Sequence, residues 1–313
     1  MPLTDNTQTL ETANALVKGL RGAFNTPEAY RPAHARGRIT KGTFTPTPEA
    51  ASLSKAPHFN NASTPVIARF SNSTGIPNIP DNDNNASPRG IGLRFVLEER
   101  PLRRHTDIIA HSTKFFPVKT GEGFLELLGH IGGGTLGEYL PSHPPALAFV
   151  QDPKPHPESF ATEKFWAVNA FKLVAADGKE TFVRYQILPE KYKVLGEEKA
   201  KEKSESYLAE ELEQRLQSGP AVFKLLAQIA ADGDVTDDAT KLWPEERKSV
   251  ELGTIKVDTM EPVEESLKDE KKIIFDPIPR VDGIEPSDDP LLDMRAAIYL
   301  LSGRIRRAAS MEA

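Results

Sequence analysis

The sequence predicts an α+β protein: a closed antiparallel β-barrel with helical insertions, ending in one long C-terminal helix. Three observations support this. At least seven short β-type runs are cut by Pro, Gly and Asn. Two of them flank Asp177-Gly178, a hairpin signal. No repeat or long linker divides the 313 residues, so 30–313 read as one barrel domain and 1–29 as a helical arm.

Residues 8–24 set Leu10, Ala13, Leu16, Val17, Leu20 and Phe24 at helical spacing, and Asn25-Thr26-Pro27 stops that helix. Strands are expected at residues 33–45, 66–72, 91–97 and 106–112. In the third, Ile91, Leu93, Phe95 and Leu97 alternate with Gly92, Arg94, Val96 and Glu98, as a strand with one buried face does. Residues 78–89 are loop by composition. A short helix around 124–128 runs into Gly132-Gly133-Gly134. Residues 165–174 and 181–188 form the hairpin. Residues 197–232 are charged and read as helix broken at Gly219-Pro220. A further strand is expected at 250–258 and a helix at 290–308.

Composition narrows the function. Apolar residues make up 38% of the chain, enough for a large core. With 39 basic and 45 acidic residues the net charge is −6, which argues against a nucleic-acid footprint or a polybasic membrane patch. Cysteine is absent, so disulfides, thiolate metal sites and cysteine nucleophiles are excluded. Residues 1–9 are polar, and no apolar run approaches the ~18 residues of a membrane span. The final Ser310-Met311-Glu312-Ala313 is not a Ser-Lys-Leu type peroxisomal signal, so a cytoplasmic protein is expected.

Arg295 and Tyr299 stand one turn apart on the same face of the last helix. A free Tyr titrates near pH ~10, and a guanidinium reaching its oxygen favours the phenolate. Tyrosinate is one of the side chains that hold haem iron. Such a pair is also ordinary surface packing, so its company decides. His34 sits in Arg31-Pro32-Ala33-His34-Ala35-Arg36-Gly37, and Gly37 and Gly42 allow close backbone approach. An imidazole that serves as a base must be neutral near working pH, and nearby cations help. Arg69-Phe70-Ser71 adds a cation and a hydroxyl, and Arg304 and Arg306 follow Tyr299 after a short break. Several arginines with a His and a Tyr suit a buried dianion such as the haem propionates. Taken singly, each Arg reads better as solvated surface.

These segments resemble the catalase superfamily. His34-Ala35-Arg36-Gly37 is similar to its distal-His segment, and Val66-Ile67-Ala68-Arg69-Phe70-Ser71 to the strand that follows. Ser87-Pro88-Arg89-Gly90-Ile91-Gly92-Leu93-Arg94-Phe95 is similar to its Asp-Pro-Arg-Gly strand. Phe171-Lys172-Leu173-Val174 with Ala176-Asp177-Gly178 resembles its central hairpin. Asp238-Ala239-Thr240-Lys241-Leu242-Trp243-Pro244, Phe275-Asp276-Pro277 and Gly283-Ile284-Glu285-Pro286-Ser287 are long matches. The resemblance covers roughly residues 30–308. The last helix closes the chain, so it resembles the short catalase-related peroxidases. Where typical catalases carry Asn-Asn-Thr-Pro, this chain has His111-Ser112-Thr113-Lys114, with Ser112 set at the distal Asn position.

The resemblance implies haem b with ferric iron. Tyr299 would be the iron ligand and Arg295 would keep it anionic. His34 would be the distal acid–base, oriented by Ser71, with His111 the next candidate for that role. Arg31, Arg69 and Arg306 would pair with propionates, and Phe124 would cover the distal face. The implied reaction reduces hydrogen peroxide or an organic hydroperoxide with a small organic donor. Oxygen evolution would be weak, because Ser112 offers fewer donors than Asn. A homo-oligomer, a dimer, is expected. Two other readings stay open. A rearranging enzyme for lipid hydroperoxides, of the allene-oxide-synthase type, would be distinguished by product analysis. A haem carrier or sensor would be distinguished by peroxide-driven dye oxidation, and the presence of both His34 and Ser71 argues against it.

Overall fold

The computed structural model describes residues 2–310; Met1 and the tail 311–313 lie outside them. Ten strands are described: β1 (Gly37–Pro46), β2 (Thr64–Ser71), β3 (Gly90–Glu98), β4 (Arg104–His111), β5 (Phe165–Trp166), β6 (Phe171–Val174), β7 (Glu180–Pro189), β8 (Ala221–Ile229), β9 (Ser249–Met260) and β10 (Ile284–Pro286). Eight close an antiparallel barrel in the order β1-β2-β3-β4-β5-β7-β8-β9, with β9 pairing back onto β1. β6 pairs with β7 as the expected hairpin, turned by Gly178 at φ 85°, and β10 adds to the edge of β6.

Closure uses strand alternation. Phe70, Ile91, Ala110, Phe165, Ile187 and Leu225 point into the barrel and form its apolar core. Their neighbours therefore point outward. Ser71, Gly90, His111 and Trp166 are directly opposite one another on β2, β3, β4 and β5. This outer row is roofed by helices, and the polar groups of interest lie between wall and roof.

The roof is built on the C-terminal helix, Pro290–Ala308. Asp289 caps it, accepting from Leu291 N at 2.9 Å, and Pro290 occupies its first turn. The N-terminal helix, Thr7–Phe24, buries Ala13 and Leu16 against Met294 and Ala297. It ends at Asn25 in the left-handed conformation, φ 48°. Thr12 Oγ1 ties it to Glu122 at 3.1 Å on the Gly121–Gly132 helix. No helix among the described residues is long and apolar enough to cross a membrane.

Two sequence expectations are corrected. Residues 221–229 are a strand, not the end of a helix. Leu, Lys, Ala and Gln favour helix locally. Here Ala221, Phe223, Leu225 and Ala227 are buried at period two between β7 and β9, and pairing overrides propensity. β1 begins at Gly37, which leaves His34 in the preceding loop. The C-terminal helix runs from Pro290 to Ala308, as expected. The three-residue β10 carried no periodic signal of its own.

One core residue has a pH consequence. His58 is 1% exposed, packed among Phe44, Phe59 and Phe95, and its Nδ1 has no hydrogen-bond partner. Burial lowers its pKa to about 3. The folded state thus resists a proton that the unfolded chain accepts below pH ~6.5. Stability contributed by neutral His58 is complete above that pH. It is lost as pH falls towards about 3, at ~1.4 kcal/mol per pH unit. In haem-free protein, His58→Phe should flatten the fall of the urea midpoint between pH 6 and pH 4. An unchanged slope would show that acid sensitivity lies elsewhere.

Candidate active site

His34 is held in the left-handed conformation, φ 55°, which is uncommon for a residue with a side chain. Its neighbours fix it there. The His34 carbonyl accepts from Arg69 Nη2 at 2.9 Å, and Ala35 N donates to Thr74 O at 2.9 Å. Strain maintained this way is a mark of function. The imidazole lies over Gly90: a Cβ there would fall 2.8 Å from both His34 Nδ1 and Ser71 Oγ. Ser71 Oγ meets His34 Nδ1 at 3.2 Å and has Gly90 O as an acceptor at 3.4 Å. Burial, then Arg69 and Arg31, lower the His34 pKa to about 4, against a backbone hydrogen bond at Asn72 that raises it. The ring is neutral at ordinary pH, as a base must be.

His111 lies across from Gly90, on the side opposite Ser71. Its pKa is lowered to about 3 by burial, then by Arg295 and His34. Its Nδ1 meets Thr113 Oγ1 at 2.6 Å. Ser112, just past the strand, does not share this position. Its hydroxyl accepts from Arg89 N at 2.9 Å, and its own N–H donates to Arg89 O. The residue this segment brings beside His34 is His111, because strand parity puts consecutive side chains on opposite faces.

On the C-terminal helix, Arg295 Nε donates to Tyr299 Oη at 3.2 Å. Arg295 Nη1 also donates to Asn169 Oδ1, and Asn169 Nδ2 donates to Asp289 Oδ2 at 2.8 Å. A chain Asp289–Asn169–Arg295–Tyr299 results, buried at its Asp289 end and half-buried at Tyr299. Burial raises the Asp289 pKa, opposed by its bonds to Leu291 N and Asn169. Asn169 and Asp289 were not singled out in the sequence. The Asp-Pro helix start could have flagged Asp289; Asn169 carries no local signal.

The cation cluster contains Arg31, Arg69 and Arg306. Arg36 is turned away to Asp81 at 3.7 Å and Ser206 at 2.7 Å, and Arg304 is exposed. Gly37 makes room for Arg69: a Cβ would sit 2.4 Å from its Cζ. Gly42 instead meets the backbone of β9. A carboxylate missed in the sequence, Glu270 of the Val263–Lys272 helix, accepts from Arg31 Nη1 at 3.2 Å and Arg69 Nε at 2.7 Å. Arg306 Nη2 and Arg31 Nη2 share Ile273 O at 2.9 and 3.1 Å. Burial, then Arg69 and Arg306, hold Arg31 well below its usual range. Burial, then Arg69, lowers Arg306 to about 9.

This arrangement fits a dianionic planar group. Three guanidinium groups meet one carboxylate, which leaves two positive charges to be balanced. Arg306 Nε is buried without a hydrogen-bond partner among the described residues. His34, His111 and Arg31 lie deep in the molecule, yet each keeps part of its surface uncovered, as residues lining an internal space do. Phe124 packs at 5.3 Å from Phe116, which lies 6.4 Å from the His111 ring, and touches the cluster of Met294 and Ala297. It thus stands between the distal wall and the helix of Tyr299.

Gly90→Ala tests the wall. The added methyl must displace His34 or Ser71 while leaving the strand intact. Displacements of ~1 Å at a reacting group can cost ~10²-fold in rate. Peroxide turnover should fall by about that factor with an unchanged unfolding midpoint. Native turnover would show that the His34–Ser71 contact is dispensable.

The catalase family model matches residues 25–129 and 141–313. A catalase-related peroxidase of Mycolicibacterium paratuberculosis is 34% identical over 306 residues, covering 94% of this chain and 95% of that protein. One from Synechococcus elongatus is 31% identical over 304 residues, covering 93% of this chain and 87% of that protein. A fungal catalase crystal structure superposes with a TM-score of 0.79 at 20% identity, over 90% of this chain and 60% of that one, a likeness of fold. The chain belongs to the catalase family.

Proposed function

We propose that this protein is a haem-dependent peroxidase. It would reduce hydrogen peroxide or an organic hydroperoxide with a small organic electron donor. The observation that carries this reading is that Arg69, Arg31 and Arg295 all act on one imidazole, His34. His34 lies in the loop before β1 against Ser71 of the barrel wall, and Arg295 pairs with Tyr299 on the C-terminal helix. Family membership and the names of the two relatives support it.

Tyr299 Oη would hold the iron, and Arg31, Arg69 and Arg306 would hold the propionates. Bound ferric haem would supply the iron at which the O–O bond is cleaved. The protein's part is proton management. His34, neutral and fixed through Nδ1, leaves Nε2 to take a proton from one peroxide oxygen and return it to the other, which departs as water from hydrogen peroxide or as an alcohol from an organic hydroperoxide. Arg295 directs a hydrogen-bond donor at the Tyr299 oxygen and so fixes where that oxygen points. Glu270 removes one of three positive charges, so the cluster matches a dianion.

Oxygen evolution needs a second peroxide held in place while it is oxidised. Ser112 accepts from Arg89 N through its hydroxyl oxygen and offers a single O–H donor where an Asn amide would offer two N–H groups. Weak oxygen evolution is expected, with ready oxidation of aromatic donors. Protein purified with haem should show a Soret band, oxidise a dye with peroxide, and give a small oxygen-electrode trace. Oxygen release near that of a typical catalase would overturn the peroxidase reading, and absence of haem uptake would overturn the cofactor.

A further inference from the structure

We infer that His111 is a second peroxide-binding residue, donating a hydrogen bond from Nε2 to the substrate while His34 accepts one. This deepens the haem-peroxidase reading and rests on it. The placement is set by register. Ser71, Gly90 and His111 are directly opposite neighbours on three adjacent strands. Cβ atoms so related lie ~5 Å apart on one face. The His34 ring fills the space above Gly90 beside Ser71, while His111 stands opposite Gly90 on the next strand, near enough for His34 to act on it. Phe116 backs the His111 ring at 6.4 Å.

The hydroxyl partners assign complementary tautomers. Ser71 has a second acceptor, Gly90 O at 3.4 Å, for its single proton. Its lone pair is then free to receive Nδ1–H from His34, which makes His34 Nε2 an acceptor. Thr113 is 1% exposed, and its hydroxyl meets no acceptor but His111 Nδ1 at 2.6 Å among the hydrogen bonds described. A buried hydroxyl proton left unpaired is destabilising, so it is donated in a hydrogen bond to Nδ1. His111 must then carry its own proton on Nε2. The Thr113 backbone also approaches this ring and favours the opposite tautomer. The short contact to the hydroxyl decides between them. One imidazole that accepts beside one that donates suits a hydroperoxide, whose oxygens need an acceptor for the departing proton and a donor for the developing charge.

Fluoride on ferric haem is a probe for a distal N–H donor. His111→Leu should keep full haem content and weaken fluoride binding ~10-fold, the worth of one hydrogen bond, read from the absorption spectrum. His111→Gln restores an N–H and should recover most of that loss. A role in packing alone would not separate the two. Imidazole ¹⁵N shifts of the haem-free protein give a second readout, with the proton of His111 on Nε2. Unchanged fluoride affinity in haem-replete His111→Leu, or a proton on His111 Nδ1, overturns the inference and leaves the peroxidase reading standing. A chain that takes up no haem overturns both.

Discussion

Tyr299→Phe is expected to lose most bound haem and keep its fold. The ring stays, so packing of the C-terminal helix is preserved, and only the oxygen goes. That oxygen accepts from Arg295 Nε at 3.2 Å, and Arg295 is itself held by Asn169, which Asp289 holds in turn. Two residues thus fix one guanidinium against one phenol oxygen. That arrangement suits the proposed metal ligand and is elaborate for a surface contact. The cluster of Arg31, Arg69 and Arg306 remains in the variant, so weak, loosely oriented haem binding is expected to persist. The measurement is haem stoichiometry and the Soret band after reconstitution, beside the thermal midpoint of haem-free protein. A wild-type spectrum at one haem per chain would remove Tyr299 from the iron.

The sequence made legible whatever depends on local pattern. Period-two alternation in residues 91–97 gave β3 and its buried face, and Asp177-Gly178 gave the β6–β7 hairpin. Helical spacing on residues 8–24 and 290–308 gave the two helices that pack together. Features that depend on register or on distant partners were not legible. His111 and Ser112 are adjacent, and only the pairing of β3 with β4 decides which faces the site. Glu270 lies on a helix of sequence Val-Glu-Glu-Ser-Leu-Lys-Asp-Glu-Lys-Lys, whose charges look solvated until Arg31 and Arg69 are brought against it. Arg36 and Arg304 had the same claim as Arg31 and Arg306 until the fold sent them elsewhere. Asn169 precedes β6 in an unremarkable stretch and gains its role only by meeting Arg295. Strand β8 was hidden because its residues favour helix until neighbours on both sides bury them.

His34→Ala should bind haem normally and lose ~10²–10⁴-fold in peroxide turnover, the usual contribution of a general acid–base group. The argument is geometric first. His34 is held at φ 55° by carbonyl and amide bonds on both sides, and Ser71 meets its Nδ1 at 3.2 Å. Electrostatics then fix its charge. Burial, Arg69 and Arg31 lower its pKa to about 4, so the free base is present from neutrality down to weakly acidic solution. Protonation as pH falls through about 4 removes the base, so the acid limb of the pH–rate profile should lie there and not near the ~6.5 of a free His. In the variant that limb should vanish along with most of the rate. His111 keeps a second imidazole in the same space, with its own acid limb near about 3. If it substitutes for His34 as base, turnover stays close to native and the limb moves to lower pH. That pair of results would transfer the acid–base role from the loop before β1 to the end of β4.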